Sequence, residues 1–386
     1  MRILLVEPYD TGSHGVWMRG YQAHSAHEVQ LLSLEGRFWQ WRMEGGAVTL
    51  AERYLALDSA PDLIVASDML DLTAFLALTR PATAHTPTAV YFHENQLTYP
   101  AYPRQKLQQH YALINTLSAL AADAIFFNSA FHHDAFLEEL PRLLKHFPDH
   151  TNLHTIDVIR RKSDVLPVGL DLRRYDDHRP AAPRDPRRPP LIVWNHRWEH
   201  DKNPQPFFAA LYRLAGEDVP FEVALVGENM RQQPVEFEEA RERLGARVMR
   251  YGYVDSFADY ARLLWEADIV VSTSNQDFFG VSVVEAIYCG CWPVLPDRLN
   301  YPALVPVKWR PQTIYPAHAN LADVLRARLR EPRPAPPDLR AHVAAFDWQG
   351  MAPRYDAAFE NAAHLRARGA RRDHHRGAGD DDSFEG

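Results

Sequence analysis

The chain has 386 residues, of which 46% are hydrophobic and 24% charged, and a formal charge of −8. Such a chain is long enough for two separate cores, and its mild acidity offers no whole-molecule field for nucleic acid, so a nucleic-acid partner needs a local basic patch. No apolar stretch approaches the ~20 residues that span a bilayer and "MRILLVEPY" turns acidic too soon for a signal peptide, so the expected location is the cytoplasm, with no membrane partner.

From the amino terminus, "RILLVEP", "EVQLLSL", "PDLIVASD", "PTAVYFH", "DAIFFNS" and "SDVLPVG" are short apolar runs separated by amphipathic stretches. That rhythm predicts a parallel sheet covered by helices. The first run ends in "DTGSHG", where Gly12 and Gly15 let the backbone approach a ligand and Ser13 and His14 offer donors to phosphate or sugar oxygens. An ordinary strand-to-helix turn reads the same way. The segment lacks G-x-G-x-x-G and G-K-[ST], which weighs against dinucleotide and P-loop chemistry. In "RFWQWRM", Trp39 or Trp41 offers a stacking face for a base, beside basic residues such as Arg42, and core packing of the tryptophans is an equal alternative. "YFHENQLTYP" places His93, Glu94 and Asn95 just past a strand.

The stretch 171–190, proline-rich, charged and aperiodic, reads as an exposed linker. A second α/β set follows: "PLIVWN", "FEVALVG", "ARVMRYGYV", "ADIVVSTS" and "CWPVLPD". Its first strand ends in "VWNHRWEHDKNP", where Arg197 and Lys202 are placed to neutralise a leaving diphosphate without a metal, or are plain surface charges. After "ADIVVSTS" comes "NQDFFGVSVVEAIYCGC", a turn and a short helix. The Phe279, Gly280 and Val281 amides are candidate phosphate donors there. Asp277 and Glu285 stand seven residues apart between them, and Glu285 suits paired ribose hydroxyls. Ser282 and Glu285 also fit an S-x-x-E capping box. Cys289 and Cys291 are awkwardly spaced for a disulfide and too few for a four-ligand zinc site, so they read as buried thiols.

Taken together these residues resemble the retaining glycosyltransferases of GT-B fold, family 4 type, whose E-x7-E motif is matched by Asp277 and Glu285. More closely, "SHG", "FWQWRM", "SDMLDL", "YFHENQLTYP", "FNSAFH", "PVGLD", "WNHRWEHDKNP" and "DFFGVSVVEAIYCGC" resemble the tRNA-queuosine mannosyltransferase family over most of residues 1–300. The resemblance implies an α/β GT-B fold, two Rossmann-like domains facing across a cleft with a C-terminal crossover helix. The expected boundaries are an acceptor domain 1–170, the linker 171–190, a nucleotide-sugar domain 191–345, the crossover helix 346–368 and a disordered tail 369–386.

It implies retaining transfer of mannose from GDP-mannose to the queuosine base of tRNA for aspartate, with a nucleotide sugar and tRNA as partners and no obligate protein partner. No cofactor and no divalent metal are expected. By the resemblance Arg197 and Lys202 bind the diphosphate, Glu285 the ribose, Asp277 and His93 the transferred sugar. Gly12, Ser13 and His14 join the donor site, and Trp39, Arg42, Glu94 and Asn95 the acceptor site. The family usually has glutamate where this chain has Asp277. Basic residues for an RNA path are few: Arg104 and Lys106, Arg142 and Lys145, Arg160 to Lys162, Arg173 and Arg174. A related glycosyltransferase acting on a small molecule, lipid or glycan, or a non-catalytic nucleotide or tRNA binder, fits the residues apart from the resemblance.

Overall fold

The computed structural model describes residues 1–58, 60–99, 109–182, 185, 187–228, 234–331 and 334–376, with 366–376 described by their backbone alone. The chain divides into two compact units, one formed by the chain up to Gly169 together with the chain from Trp348, the other by Leu170–Asp347.

The first unit is built on a six-stranded sheet in the order β2-β1-β3-β4-β5-β6. Its strands are β1 (Arg2–Asp10), β2 (Glu28–Glu35), β3 (Leu63–Ser67), β4 (Thr88–Phe92), β5 (Ala124–Phe127) and β6 (Ser163–Val165). All paired strands are parallel. The continuous apolar runs of β3, β4 and β5 are buried at every residue, as parallel strands covered on both faces require, while β2 at the edge alternates buried and exposed positions. "SDVLPVG" gives a strand of only three residues, because Pro167 has no N–H to continue the ladder.

The expected C-terminal helix is Trp348–Arg376 and so runs into the stretch read as tail; residues 377–386 and the Arg104/Lys106 pair lie outside the described residues. Trp348 packs against Gly20 and Gly169, at each of which a Cβ would collide with the indole. Trp17 Nε1 donates to Tyr355 Oη at 2.9 Å, and the Trp17 ring stacks on Tyr91 at 4.5 Å.

The second unit is a parallel sheet in the order β12-β11-β10-β7-β8-β9. Its strands are β7 (Leu191–Trp194), β8 (Glu222–Val226), β9 (Val248–Gly252), β10 (Ile269–Val271), β11 (Trp292–Pro296) and β12 (Ile314–Tyr315), the last having no counterpart in the sequence reading. The segment read as an exposed linker contains a 3-10 helix, Arg173–His178, whose Tyr175 is buried 4.9 Å from the Phe257 ring. Both cysteines are free and buried. Among the described residues no helix is long and apolar enough to cross a membrane.

Strand order locates the sites. In an open parallel sheet the crevice for a ligand lies beyond the carboxyl ends of the strands where the order reverses. That point falls between β1 and β3 in the first unit and between β7 and β10 in the second.

Candidate functional site

In the first unit, four polar side chains converge at the switch point. Glu7, the one charged residue inside the apolar run of β1, is buried; its carboxylate accepts the Tyr9 N–H at 2.8 Å and faces His14 Nδ1 at 3.0 Å. His14 lies in the first turn of the helix Gly12–His24, which Gly12 opens at φ +50°. Ser13 beside it is exposed. Burial would lower the His14 pKa, but Glu7 overrides it by charge and hydrogen bond, helped by Asp68 and Glu94, and the group is raised to about 9.

His14 is therefore an imidazolium, and it sits 4.3 Å from the His93 ring. Burial and that neighbouring charge hold His93 well below its ordinary value, as a neutral ring. Its Nε2 is buried without a hydrogen-bond partner. Asp68, past the end of β3, accepts the His93 N–H at 2.7 Å and the Glu94 N–H at 3.4 Å, and burial raises its pKa. Among the described residues, Glu7, His14 and His93 are the group whose ligand atoms lie close enough for a metal ion, within 4.8 Å of one another. The Glu7–His14 ion pair instead accounts for two of them.

The predicted acceptor residues scatter. Asn95 is fully buried and its Oδ1 accepts the Leu97 and Thr98 amides, both at 2.9 Å, so it shapes the loop from within. Glu94 accepts from Gln96 Nε2. Trp39 packs 5.1 Å from the Tyr111 ring, while Trp41 is exposed; Arg42 Nε donates to the Glu35 carbonyl. The basic clusters are largely engaged elsewhere. Arg142 pairs with Glu139, Arg160 with Asp157 and Arg173 with Asp347; Lys162 Nζ donates to the Leu120 carbonyl, and Arg174 covers the Phe257 ring.

In the second unit the loops after β7 and β10 meet. Lys202, at the end of the 3-10 helix His200–Lys202, is buried; Nζ donates to the Gln276 carbonyl at 2.7 Å and lies 3.0 Å from Asp201. Asn203 in the left-handed region, at φ +50°, then turns the chain into a helix opened by Pro204. Arg197, by contrast, is exposed and 3.4 Å from Glu199. The predicted pair is thus one buried, anchored cation and one exposed cation beside Glu199. His196 is buried, and burial together with Lys202 lowers it to about 4. Neutral, it donates from Nε2 to the Val271 carbonyl at 3.2 Å, which leaves Nδ1 to accept from Ser282 Oγ at 3.1 Å.

That contact decides between two readings of Ser282 and Glu285. The helix Val281–Tyr288 begins at Gly280, at φ +98°, with no side-chain cap. Ser282 is its second residue and faces His196, so no capping box forms. Glu285 is held instead by the Tyr260 hydroxyl, which donates to Oε2 at 2.9 Å and accepts from Asn195 Nδ2 at 3.0 Å. Burial raises the Glu285 pKa, opposed by hydrogen bonds from Tyr260 and Tyr175.

Asp277 accepts from the Tyr301 hydroxyl at 3.2 Å and from the Phe279 N–H at 3.4 Å. The Phe279 amide faces Asp277. Gly280 is required where it stands, since a Cβ there would come 2.9 Å from Leu304. The Val281 amide, at the helix start, has no carbonyl one turn earlier within its own helix.

Glu7, Asp68, Tyr175 and Tyr260 were not singled out by sequence reasoning. A carboxylate inside an apolar strand is the one local signal, and it was available only for Glu7.

Residues 2–170 match the model of the tRNA-queuosine alpha-mannosyltransferase N-terminal family, and residues 177–322 that of glycosyl transferases group 1. The chain is 34% identical over 313 residues to a tRNA-queuosine alpha-mannosyltransferase of Drosophila melanogaster, covering 79% of this chain and 81% of that protein. A glycogen synthase of Mycobacterium tuberculosis is 28% identical over 200 residues, 49% of this chain and 46% of that protein. Among solved structures, a sucrose-phosphate synthase from Thermosynechococcus elongatus superposes with a TM-score of 0.68 at 15% identity, covering 94% of this chain and 98% of that one. The catalytic domain of starch synthase IV from Arabidopsis thaliana does so with a TM-score of 0.68 at 12% identity, over 94% and 99%.

Proposed function

The chain belongs to the tRNA-queuosine alpha-mannosyltransferase family, a glycosyltransferase of GT-B fold, and from that membership we propose that it moves mannose from GDP-mannose to the queuosine base of tRNA for aspartate, with retention at the anomeric carbon. The observation that carries the donor half of this reading is Glu285 at the β7/β10 switch point, held by two tyrosine hydroxyls, in the unit whose β7 loop also anchors Lys202. A carboxylate so oriented accepts from the paired hydroxyls of a ribose. Lys202 and Arg197 stabilise the departing diphosphate, the first preorganised, the second brought in on binding, and no divalent metal is needed.

In the second unit Asp277 binds hydroxyls of the transferred sugar, and in the first the unpartnered Nε2 of neutral His93 is open to a substrate hydroxyl. An acceptor hydroxyl oxygen bonds to the anomeric carbon as the carbon–oxygen bond to the diphosphate breaks. The hydroxyl proton goes to the leaving phosphate.

Purified protein is incubated with a panel of nucleotide sugars and with tRNA carrying or lacking queuosine, and the tRNA nucleosides are analysed by mass spectrometry. The expected product is hexosylated queuosine, formed from GDP-mannose and only on the modified tRNA. Equal labelling of both tRNAs, or none with any sugar, rejects the queuosine acceptor in favour of a small one.

A further inference from the structure

Two large aromatic side chains near the first-unit site are left in solvent. Phe38 and Trp41 are 67% and 61% exposed. Phe38 is also held in the left-handed region, at φ 53° and ψ 58°, as the residue before the helix Trp39–Leu55, and its side chain makes no capping hydrogen bond. A bulky residue other than glycine or asparagine seldom occupies that region, and such backbone strain concentrates at functional surfaces. Trp41 packs against Gly45 of its own helix, where a Cβ would approach the indole to 2.8 Å. The ring is thereby held on one side by its own helix while most of it stays in solvent. The intervening Trp39 turns inward against Tyr111, so the exposed rings are a selection rather than a spill of the whole aromatic run.

Charge and position narrow the partner. Arg37 precedes the pair and Arg42 follows it; Glu35 beside them is taken up by Arg37 at 2.7 Å, and its carbonyl by Arg42. The loop is fixed to the first turn of the site: the Gly36 N–H donates to the Asp10 carbonyl at 3.3 Å, and Gly36 abuts Thr11, next to Gly12, Ser13 and His14. Further along the same helix Val48 and Leu55 are also exposed, with Glu52 and Arg53 between them, so the guanidinium groups that flank exposed aromatic rings are those of Arg37 and Arg42, at the end by the site.

We propose that Phe38 and Trp41 form a stacking platform for unpaired bases of the tRNA acceptor, with Arg37 and Arg42 taking the adjoining phosphates; the choice of tRNA rests on the function proposed above. Every base has a π face, so such a platform holds the strand without reading its sequence, and a paired base inside a duplex cannot use it.

Anisotropy of labelled tRNA and of a labelled RNA duplex is measured with full-length wild type, Trp41→Ala, Trp41→Tyr and the double variant Phe38→Ala/Trp41→Ala, alongside a thermal melt of each. Loss of each ring should weaken tRNA binding roughly tenfold or more while leaving duplex binding within twofold, and Trp41→Tyr should retain most of the affinity. Arg37→Ala and Arg42→Ala should instead weaken both RNAs and each reduce the salt slope by about 0.7 to 0.9.

The platform is overturned if the folded double variant binds tRNA within twofold of wild type, if both RNAs are lost equally, or if wild type binds no tRNA. It is also overturned if the double variant only converts a dimer to a monomer, which would make the patch an interface between copies. Transfer to queuosine is followed in parallel with wild type. Binding that depends on the rings without transfer would leave the platform standing and remove the proposed reaction.

Discussion

The two units place their polar clusters by the same topological rule and fill them with opposite electrostatics. At the β1/β3 point the groups are mutually compensating: a buried carboxylate, an imidazolium, a second carboxyl and a neutral imidazole, with His14 and Asp68 both raised above their ordinary values. At the β7/β10 point the cation is fixed by a backbone carbonyl and an aspartate, and the carboxylate by neutral tyrosines. The difference teaches that strand order decides where a ligand can lie, while the partners of each charge decide whether the site responds to pH or holds a constant field.

The largest expected effect tests the constant field. Lys202→Ala should lower turnover by roughly a hundredfold or more, comparable to removing a preorganised oxyanion donor, and Arg197→Ala should do the same with less loss of stability because its side chain is exposed. Activity should persist in chelator. Abolition by chelator with rescue by magnesium or manganese would transfer the role to a metal and erase the contrast.

The next tests the responsive cluster. His14 binds its proton more tightly folded, at about 9 against 6.5 free, so its contribution to stability is complete below pH 6.5 and is lost as pH climbs toward 9. Asp68, also raised, works in the same direction from its ordinary value up to about pH 8. In Glu7→Gln, burial should take His14 below its ordinary value and remove up to about 3 kcal/mol of that alkaline loss, leaving the shallower slope due to Asp68. Melting temperatures from pH 6 to 9.5 make the comparison. Equal slopes in the two proteins would show that the ion pair is not what titrates.

Much of this contrast was invisible along the chain. The glycines of "DTGSHG", the crowded turn "WNHRWEHDKNP" and the loop around Asp277 each announce a strand end, because a turn beside a buried strand must be built from residues suited to it. What the loops would touch depended on crossovers. Asp68 reaches His93 because β3 lies between β1 and β4, and Tyr260 reaches Glu285 from a helix whose own pattern shows only amphipathicity. Tyr175 lay hidden in a stretch whose prolines and charges read as linker. Trp39 and Trp41 stand two residues apart, and only packing against Tyr111 settles which of them faces inward.

A smaller effect follows from that tyrosine cage. Tyr260→Phe removes one hydrogen bond to a charged group while keeping the ring, and GDP-mannose should bind about tenfold more weakly, the lower end for bonds of this kind. Glu285→Gln should cost at least as much. Unchanged nucleotide affinity in both would leave Glu285 as a packing residue and make the second cluster no site at all.

The smallest expected effect is a null coupling. Were Ser282 and Glu285 a capping box, each would depend on the other, and a double-mutant cycle of Ser282→Ala and Glu285→Ala on unfolding free energy would show an interaction of the size of a lost cap, about 0.5 to 2 kcal/mol. Here Ser282 Oγ meets His196 and Glu285 meets Tyr260, so the two side chains share no partner. Their coupling should lie within about 0.5 kcal/mol of zero, although each single change costs something: the first strands the His196 Nδ1 acceptor, the second the Tyr260 hydroxyl. The cycle of Tyr260→Phe with Glu285→Ala is the positive control, since those groups do bond. A large Ser282/Glu285 coupling beside a small Tyr260/Glu285 one would restore the capping reading and free the glutamate from any role in holding a ribose.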